Sequence, residues 1–149
     1  MSLDMPKFSD LDALYSPEAT IATAMYEDPD LFAEEMERIF KRTWVWIAHE
    51  SEFPDKGSFR LSKVGLEPVI VVRDRKGVIH CLVNRCRHRA ASVCEVRQGK
   101  TASFQCPYHG WGYGLDGSLR AVPYPEQYGP DFDKAQLGLR RLRVETYRG

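Results

Sequence analysis

The chain of 149 residues balances 21 Lys and Arg against 21 Asp and Glu, and 43% of it is hydrophobic; that is about one domain, able to bury a core without disulfide staples. No apolar run approaches the roughly 18 residues of a membrane span and no charged-then-apolar leader opens the sequence, so no membrane partner is expected and a cytoplasmic location is the default. Residues 1–55 hold 13 acidic and 4 basic side chains while residues 56–149 hold 8 acidic and 17 basic, but the basic ones are scattered without a recognition motif, which argues against nucleic acid.

Residues 1–28 read as an irregular acidic arm, interrupted by Pro6 and Pro17. Asp28 is a good N-cap and Pro29 suits the first helical position, after which Leu31, Phe32, Glu35, Met36, Ile39 and Phe40 follow helical spacing. This predicts a helix from about 29 to 42 within a lead-in of 29–43, its apolar stripe a docking face. From residue 44 the texture changes to short β-rich runs. Val69 to Val72, Val78 to Val83 and Ala102 to Phe104 read as strands, with turns at Asp74 to Gly77 and Asp116-Gly117. Alternation from Leu139 to Tyr147 predicts one more, and strands without intervening helices predict a mainly β, antiparallel domain.

Two short loops carry the chemistry. Cys86-Arg87-His88 and Cys106-Pro107-Tyr108-His109 each offer one thiolate and one imidazole, and they are expected at hairpin tips, 84–90 and 106–112. A Rieske [2Fe-2S] cluster needs two cysteines on one iron and two histidines on the other, which two mixed loops provide. Zinc also takes two Cys and two His, but its fingers pair like residues in each half; a zinc-binding structural module stays as an alternative. Gly110, Gly112 and Gly114 are expected to give a cluster close backbone approach. The remaining cysteines, Cys81 and Cys94, read as small buried hydrophobes. His49 and His80 read as hydrogen-bonded structural residues on strands. No nucleotide-binding glycine loop or nucleophile elbow is present.

Asn84-Arg85-Cys86-Arg87-His88-Arg89 and Cys106-Pro107-Tyr108-His109-Gly110-Trp111 resemble the N-terminal Rieske domain of the alpha subunit of aromatic-ring-hydroxylating oxygenases. Residues 26 to 53, with Asp28-Pro29-Asp30-Leu31-Phe32 and Thr43-Trp44, resemble the segment leading into that domain, which small Rieske ferredoxins lack. The resemblance implies an antiparallel Rieske (ISP-like) β-sandwich over 44–149 with a cluster-binding subdomain, preceded by an N-terminal helix. It implies Cys86, His88, Cys106 and His109 as the metal ligands, and an electron relay from a reductase or ferredoxin to a mononuclear Fe(II) site. That iron is expected only in the full-length protein, whose catalytic oxygenase domain is absent here. A beta subunit and self-association are further partners the resemblance allows. A stand-alone Rieske ferredoxin is the main alternative.

Residues near the ligands add expectations. Where high-potential respiratory Rieske proteins place a serine donor, this chain has Trp111, whereas Tyr113 occupies the place of the family's tyrosine donor to a cysteine sulfur. Both are expected at the cofactor, and the lost donor predicts a potential towards the end of the Rieske range near about −150 mV. Respiratory proteins also carry an extra cysteine in each loop, where Ala91 and Tyr108 stand here. Ala90 replaces a frequent glycine, which costs on the order of 1 kcal/mol if positive φ is required. Arg85, Arg87 and Arg89 bracket the first ligand pair and would steer an acidic electron donor.

Overall fold

The computed structural model describes residues 23–149, so most of the expected arm lies outside the described residues. The chain divides into two compact units, one ending at Val45 and the other running from Trp46 to Gly149.

In the first unit, α1 (Ala24–Glu27) is a single helical turn where the sequence suggested irregular chain, and α2 spans Pro29–Glu35. Asp28 caps α2 as expected: Oδ1 accepts the N–H of Asp30 at 2.7 Å and of Leu31 at 3.1 Å, satisfying donors that have no helical partner. The helix then widens into a π-helical segment, Met36–Phe40, instead of continuing as α-helix to residue 42. Its ending has a local cause. Lys41 N–H reaches back five residues to the Met36 carbonyl, while the backbone and hydroxyl of Thr43 both donate to the Ile39 carbonyl.

The second unit is built from antiparallel strands. β1 (Ser58–Val64), β2 (Glu67–Arg73), β3 (Ile79–Val83), β4 (Gln98–Lys100) and β8 (Arg141–Leu142) form a five-stranded sheet in the order β4-β1-β2-β3-β8. A smaller sheet contains β5 (Phe104–Gln105), β6 (Gly112–Tyr113) and β7 (Leu119–Ala121). Central strand β2 shows why these residues fold this way. Its side chains alternate between two cores: Ile70 and Val72 join Leu82, Phe104, Trp111, Tyr113 and Leu119 on one face, and Val69 and Val71 join Phe53 and Cys81 on the other. The first core therefore joins the large sheet to the small sheet and the loops beside it. Truncating fully buried Ile70 to alanine would cost about 2 to 5 kcal/mol.

Several expected boundaries move. Residues 102 and 103 are not strand, since β5 begins at Phe104, and β8 retains only two residues of the run 139–147. The loop after β3 is not a hairpin tip, because β3 and β4 are not neighbours; the chain crosses to pair β4 with β1. By contrast, the second loop does join paired strands, β5 and β6. His49 is not on a strand. It caps the 3-10 turn Glu50–Glu52, with Nδ1 accepting Ser51 N–H and Glu52 accepting His49 N–H. The turn after β2 forms as expected: Asp74 Oδ1 accepts the N–H of Lys76 and Val78, and Gly77 has φ of +91°.

Candidate metal centre

The two Cys/His loops share one backbone design. Cys86 N–H donates to the Ala91 carbonyl at 2.8 Å and Ala90 N–H returns to the Cys86 carbonyl at 2.9 Å. Correspondingly, Cys106 N–H donates to the Trp111 carbonyl at 2.9 Å and Gly110 N–H returns to the Cys106 carbonyl at 3.0 Å. Closing each loop requires positive φ four residues after the cysteine, +56° at Ala90 and +73° at Gly110. Only glycine adopts that conformation without strain, so the first loop carries strain that the second avoids.

A buried residue outside the expected set fixes the first loop. The Asn84 Oδ1 atom accepts the N–H of Val93 at 2.9 Å and of Cys94 at 3.0 Å, and its Nδ2 donates to the Cys94 carbonyl at 2.7 Å. Three hydrogen bonds at one amide tie both ends of the loop together. Its sequence signal is a polar residue at the inner end of the otherwise apolar run Cys81 to Val83.

These loops bring together the four side chains singled out in the sequence, in two like pairs. His88 Nδ1 and His109 Nδ1 lie 3.1 Å apart with ring centroids 4.6 Å apart, and both rings are partly exposed. Cys86 and Cys106 are buried, and their thiols lie close enough to act on each other electrostatically. Burial pushes the Cys106 thiol up, as does the neighbouring Cys86, against stabilising backbone contacts from Tyr108 and His109. Burial likewise lowers the proton affinity of His88, and the neighbouring His109 and Arg89 lower it further.

Tyr113, fully buried, places Oη 3.2 Å from Cys86 Sγ and accepts Arg87 N–H at 3.0 Å. Burial holds its phenol above the usual range, and the Cys86 contact adds to this. Trp111 does not turn its N–H toward a sulfur: Nε1 donates to Tyr128 Oη at 3.1 Å, while the indole stacks on His88 with centroids 5.0 Å apart and planes 8° apart. Tyr128 was not among the residues expected at the site.

The donor set fits a two-iron cluster. Thiol faces thiol and imidazole nitrogen faces imidazole nitrogen, as required when one iron takes two sulfurs and the other two nitrogens. Among the described residues, no group of three or more His, Cys, Asp or Glu side chains forms a site for a single ion.

A model of the Rieske [2Fe-2S] domain matches residues 43–148. The chain belongs to the Rieske family. Its cofactor is accordingly a [2Fe-2S] cluster of the Rieske type. The large subunit of anthranilate 1,2-dioxygenase from Acinetobacter baylyi is 44% identical over 129 residues, 87% of this chain and 27% of that protein. Biphenyl 2,3-dioxygenase subunit alpha from Rhodococcus jostii is 41% identical over 147 residues, 97% of this chain and 32% of that protein. Among solved structures, naphthalene 1,2-dioxygenase from Rhodococcus sp. superposes with a TM-score of 0.83 at 38% identity, covering 95% of this chain and 32% of that one. A quaternary ammonium Rieske monooxygenase gives 0.76 at 31% identity, covering 84% and 34%. The chain thus spans less than a third of the length of these two curated relatives.

Other residues of the Rieske domain have structural uses. A Cβ on Gly112 would meet Ala121 Cβ at 3.2 Å and one on Gly114 would meet Asp116 Oδ1 at 2.5 Å, so the chain's own packing is tight at both glycines. Cys81 is buried beside Val69 and Val71, and burial pushes its thiol up to about 11. Cys94 is half-buried, and all four cysteines are free thiols. His80 sits on β3 with Nε2 3.0 Å from Asp74 Oδ2, the structural role expected of it.

Proposed function

We propose that this chain is the electron-relay domain of an aromatic-ring-hydroxylating oxygenase large subunit, with Cys86 and Cys106 on one iron of the cluster and His88 and His109 on the other. The observation that carries the assignment is the like-with-like pairing of the four side chains on two matched loops. When bound, the cluster supplies one-electron redox chemistry, reduction taking it from neutral to a charge of −1 with two thiolate ligands.

The protein's own groups prepare the site for that added charge. Because Tyr113 Oη already accepts the Arg87 N–H, its proton is directed to Cys86 Sγ, which as a thiolate is only an acceptor. Such a bond strengthens as negative charge accumulates on sulfur. The partly exposed edges of His88 and His109 give the buried centre a route to a partner. Around them, exposed Arg85, Arg87 and Arg89 would attract an acidic reductase or ferredoxin.

The relay would deliver its electron to a mononuclear Fe(II) in a catalytic domain that acts on an aromatic substrate. A beta subunit and association of several copies belong to the same proposal. The Rieske domain itself is assigned to 44–149, preceded by the lead-in 29–43 and the arm 1–28; the division of the chain at residue 45 supports that boundary. A cytoplasmic location is proposed with it; no helix among the described residues is long and apolar enough to cross a membrane.

Iron analysis of Cys86→Ser, Cys106→Ser, His88→Ala and His109→Ala tests the ligand set. Each is expected to lose the Rieske spectrum and most of its iron, whereas Cys81→Ala and Cys94→Ala keep both. A single-ligand variant that retained an unaltered spectrum would overturn the assignment.

A further inference from the structure

We infer that Tyr128 is a positioning residue that sets the redox potential by shielding the His88 side of the centre from water. The inference rests on His88 being an iron ligand, as proposed above.

Tyr128 ends the 3-10 turn Pro125–Tyr128, in the segment between β7 and β8. Its ring meets Trp111 edge-on at a centroid distance of 5.8 Å, and His88 edge-on at 6.4 Å. Phe132 backs both aromatic rings, 4.5 Å from Tyr128 and 5.8 Å from Trp111. The result is an aromatic cap in which the indole lies flat on His88 and Tyr128 closes its edge.

The segment is held in place at some conformational cost. Tyr124, immediately before the turn, has φ of +51°, and Gly129, immediately after it, has φ of +82°. A left-handed tyrosine is strained, and surrounding contacts must compensate. One of them is with the second ligand loop, where a Cβ at Gly110 would already lie 3.2 Å from Pro123. Pro123 therefore lies close to the loop that carries His109, and the turn that follows it places Tyr128 beside His88.

The hydroxyl and the ring have separable roles. Tyr128 Oη accepts the buried Trp111 N–H, an anchor whose loss leaves a buried donor unpaired and lowers stability. The ring, though Tyr128 is itself 37% exposed, covers one side of the partly exposed imidazole and reduces its contact with water. Since reduction adds negative charge, admitting water favours the reduced form, and solvent exposure is one of the terms that set a cluster's potential.

The test is the midpoint potential of the holo-protein, measured by a titration monitored by EPR, for wild type, Tyr128→Phe and Tyr128→Leu. Tyr128→Leu is expected to raise the equilibrium constant for reduction about tenfold, equivalent to roughly 59 mV for one electron. Tyr128→Phe should stay within about twofold of wild type, because it keeps the ring. Phe132→Leu loosens the cap from behind and should shift the potential in the same direction, which keeps the inference testable if Tyr128→Leu does not fold. Equal midpoints in variants that show the Rieske spectrum would overturn the shielding role, as would equal rises in the Phe and Leu variants. A wild-type holo-protein without that spectrum would instead overturn the ligand assignment beneath it.

Discussion

Tyr113 Oη stands 3.2 Å from Cys86 Sγ and accepts the Arg87 N–H at 3.0 Å, which leaves its own proton free to donate to a Cys86 thiolate. This contact links the small sheet to the first Cys/His loop across 27 residues of sequence. Tyr113→Phe keeps the ring in its buried place and removes only the hydroxyl. If the bond favours the reduced state by about 1 kcal/mol, the midpoint should fall by roughly 40 mV for one electron. An EPR-monitored titration measures this, and an unchanged midpoint would show that the hydroxyl does not act on the sulfur.

Ala90 offers a gain in stability. With φ of +56° it holds a conformation that glycine adopts freely, so Ala90→Gly is expected to stabilise the domain by about 1 kcal/mol. The check is urea unfolding, with a higher midpoint at unchanged slope.

Asp74 gives the fold an acid-sensitive point. Burial alone would raise its carboxyl, but hydrogen bonds from His80, Val78 and Lys76 outweigh burial and hold it below its ordinary value of 3.8. A carboxylate with a lowered folded pKa stabilises the protein above that ordinary value, and the stabilisation disappears as pH falls through the folded value. Asp74→Asn should therefore cost roughly 1 to 3 kcal/mol near neutral pH, with the difference from wild type closing in stronger acid. Denaturation measured at several pH values would reveal a constant difference if this account of Asp74 were wrong.

The spare cysteines should differ in reactivity. Cys81 is buried and its thiol is pushed up to about 11, whereas Cys94 is half-buried. Since the thiolate is the nucleophile, iodoacetamide at pH 8 should modify Cys94 well before Cys81 in the native holo-protein. Peptide mass spectrometry distinguishes the two, and equal rates would contradict the packed position of Cys81.

What the sequence made legible was local. Asp28-Pro29 cap their helix and Asp74 to Gly77 turn as written, because each depends on neighbours two to four residues away. The Cys/His pairs were legible through fixed spacing, and Ala90 through its place in that spacing. By comparison, β1 lacks a continuous apolar run, since Arg60, Ser62 and Lys63 interrupt it, and its identity comes from its pairing with β2. His49 looked like a strand residue because a side-chain cap leaves no periodic signature. Asn84 and Tyr128 were missed for a related reason: their partners lie 10 and 17 residues away, brought near only by the folded loops.

The central claim is a cluster held by two Cys/His loops, and the low-temperature EPR spectrum of the dithionite-reduced protein, purified without oxygen, tests it most directly. The account predicts a rhombic Rieske-type signal at about one spin per chain, lost in His88→Ala and His109→Ala. A colourless, EPR-silent protein carrying one zinc ion would contradict it.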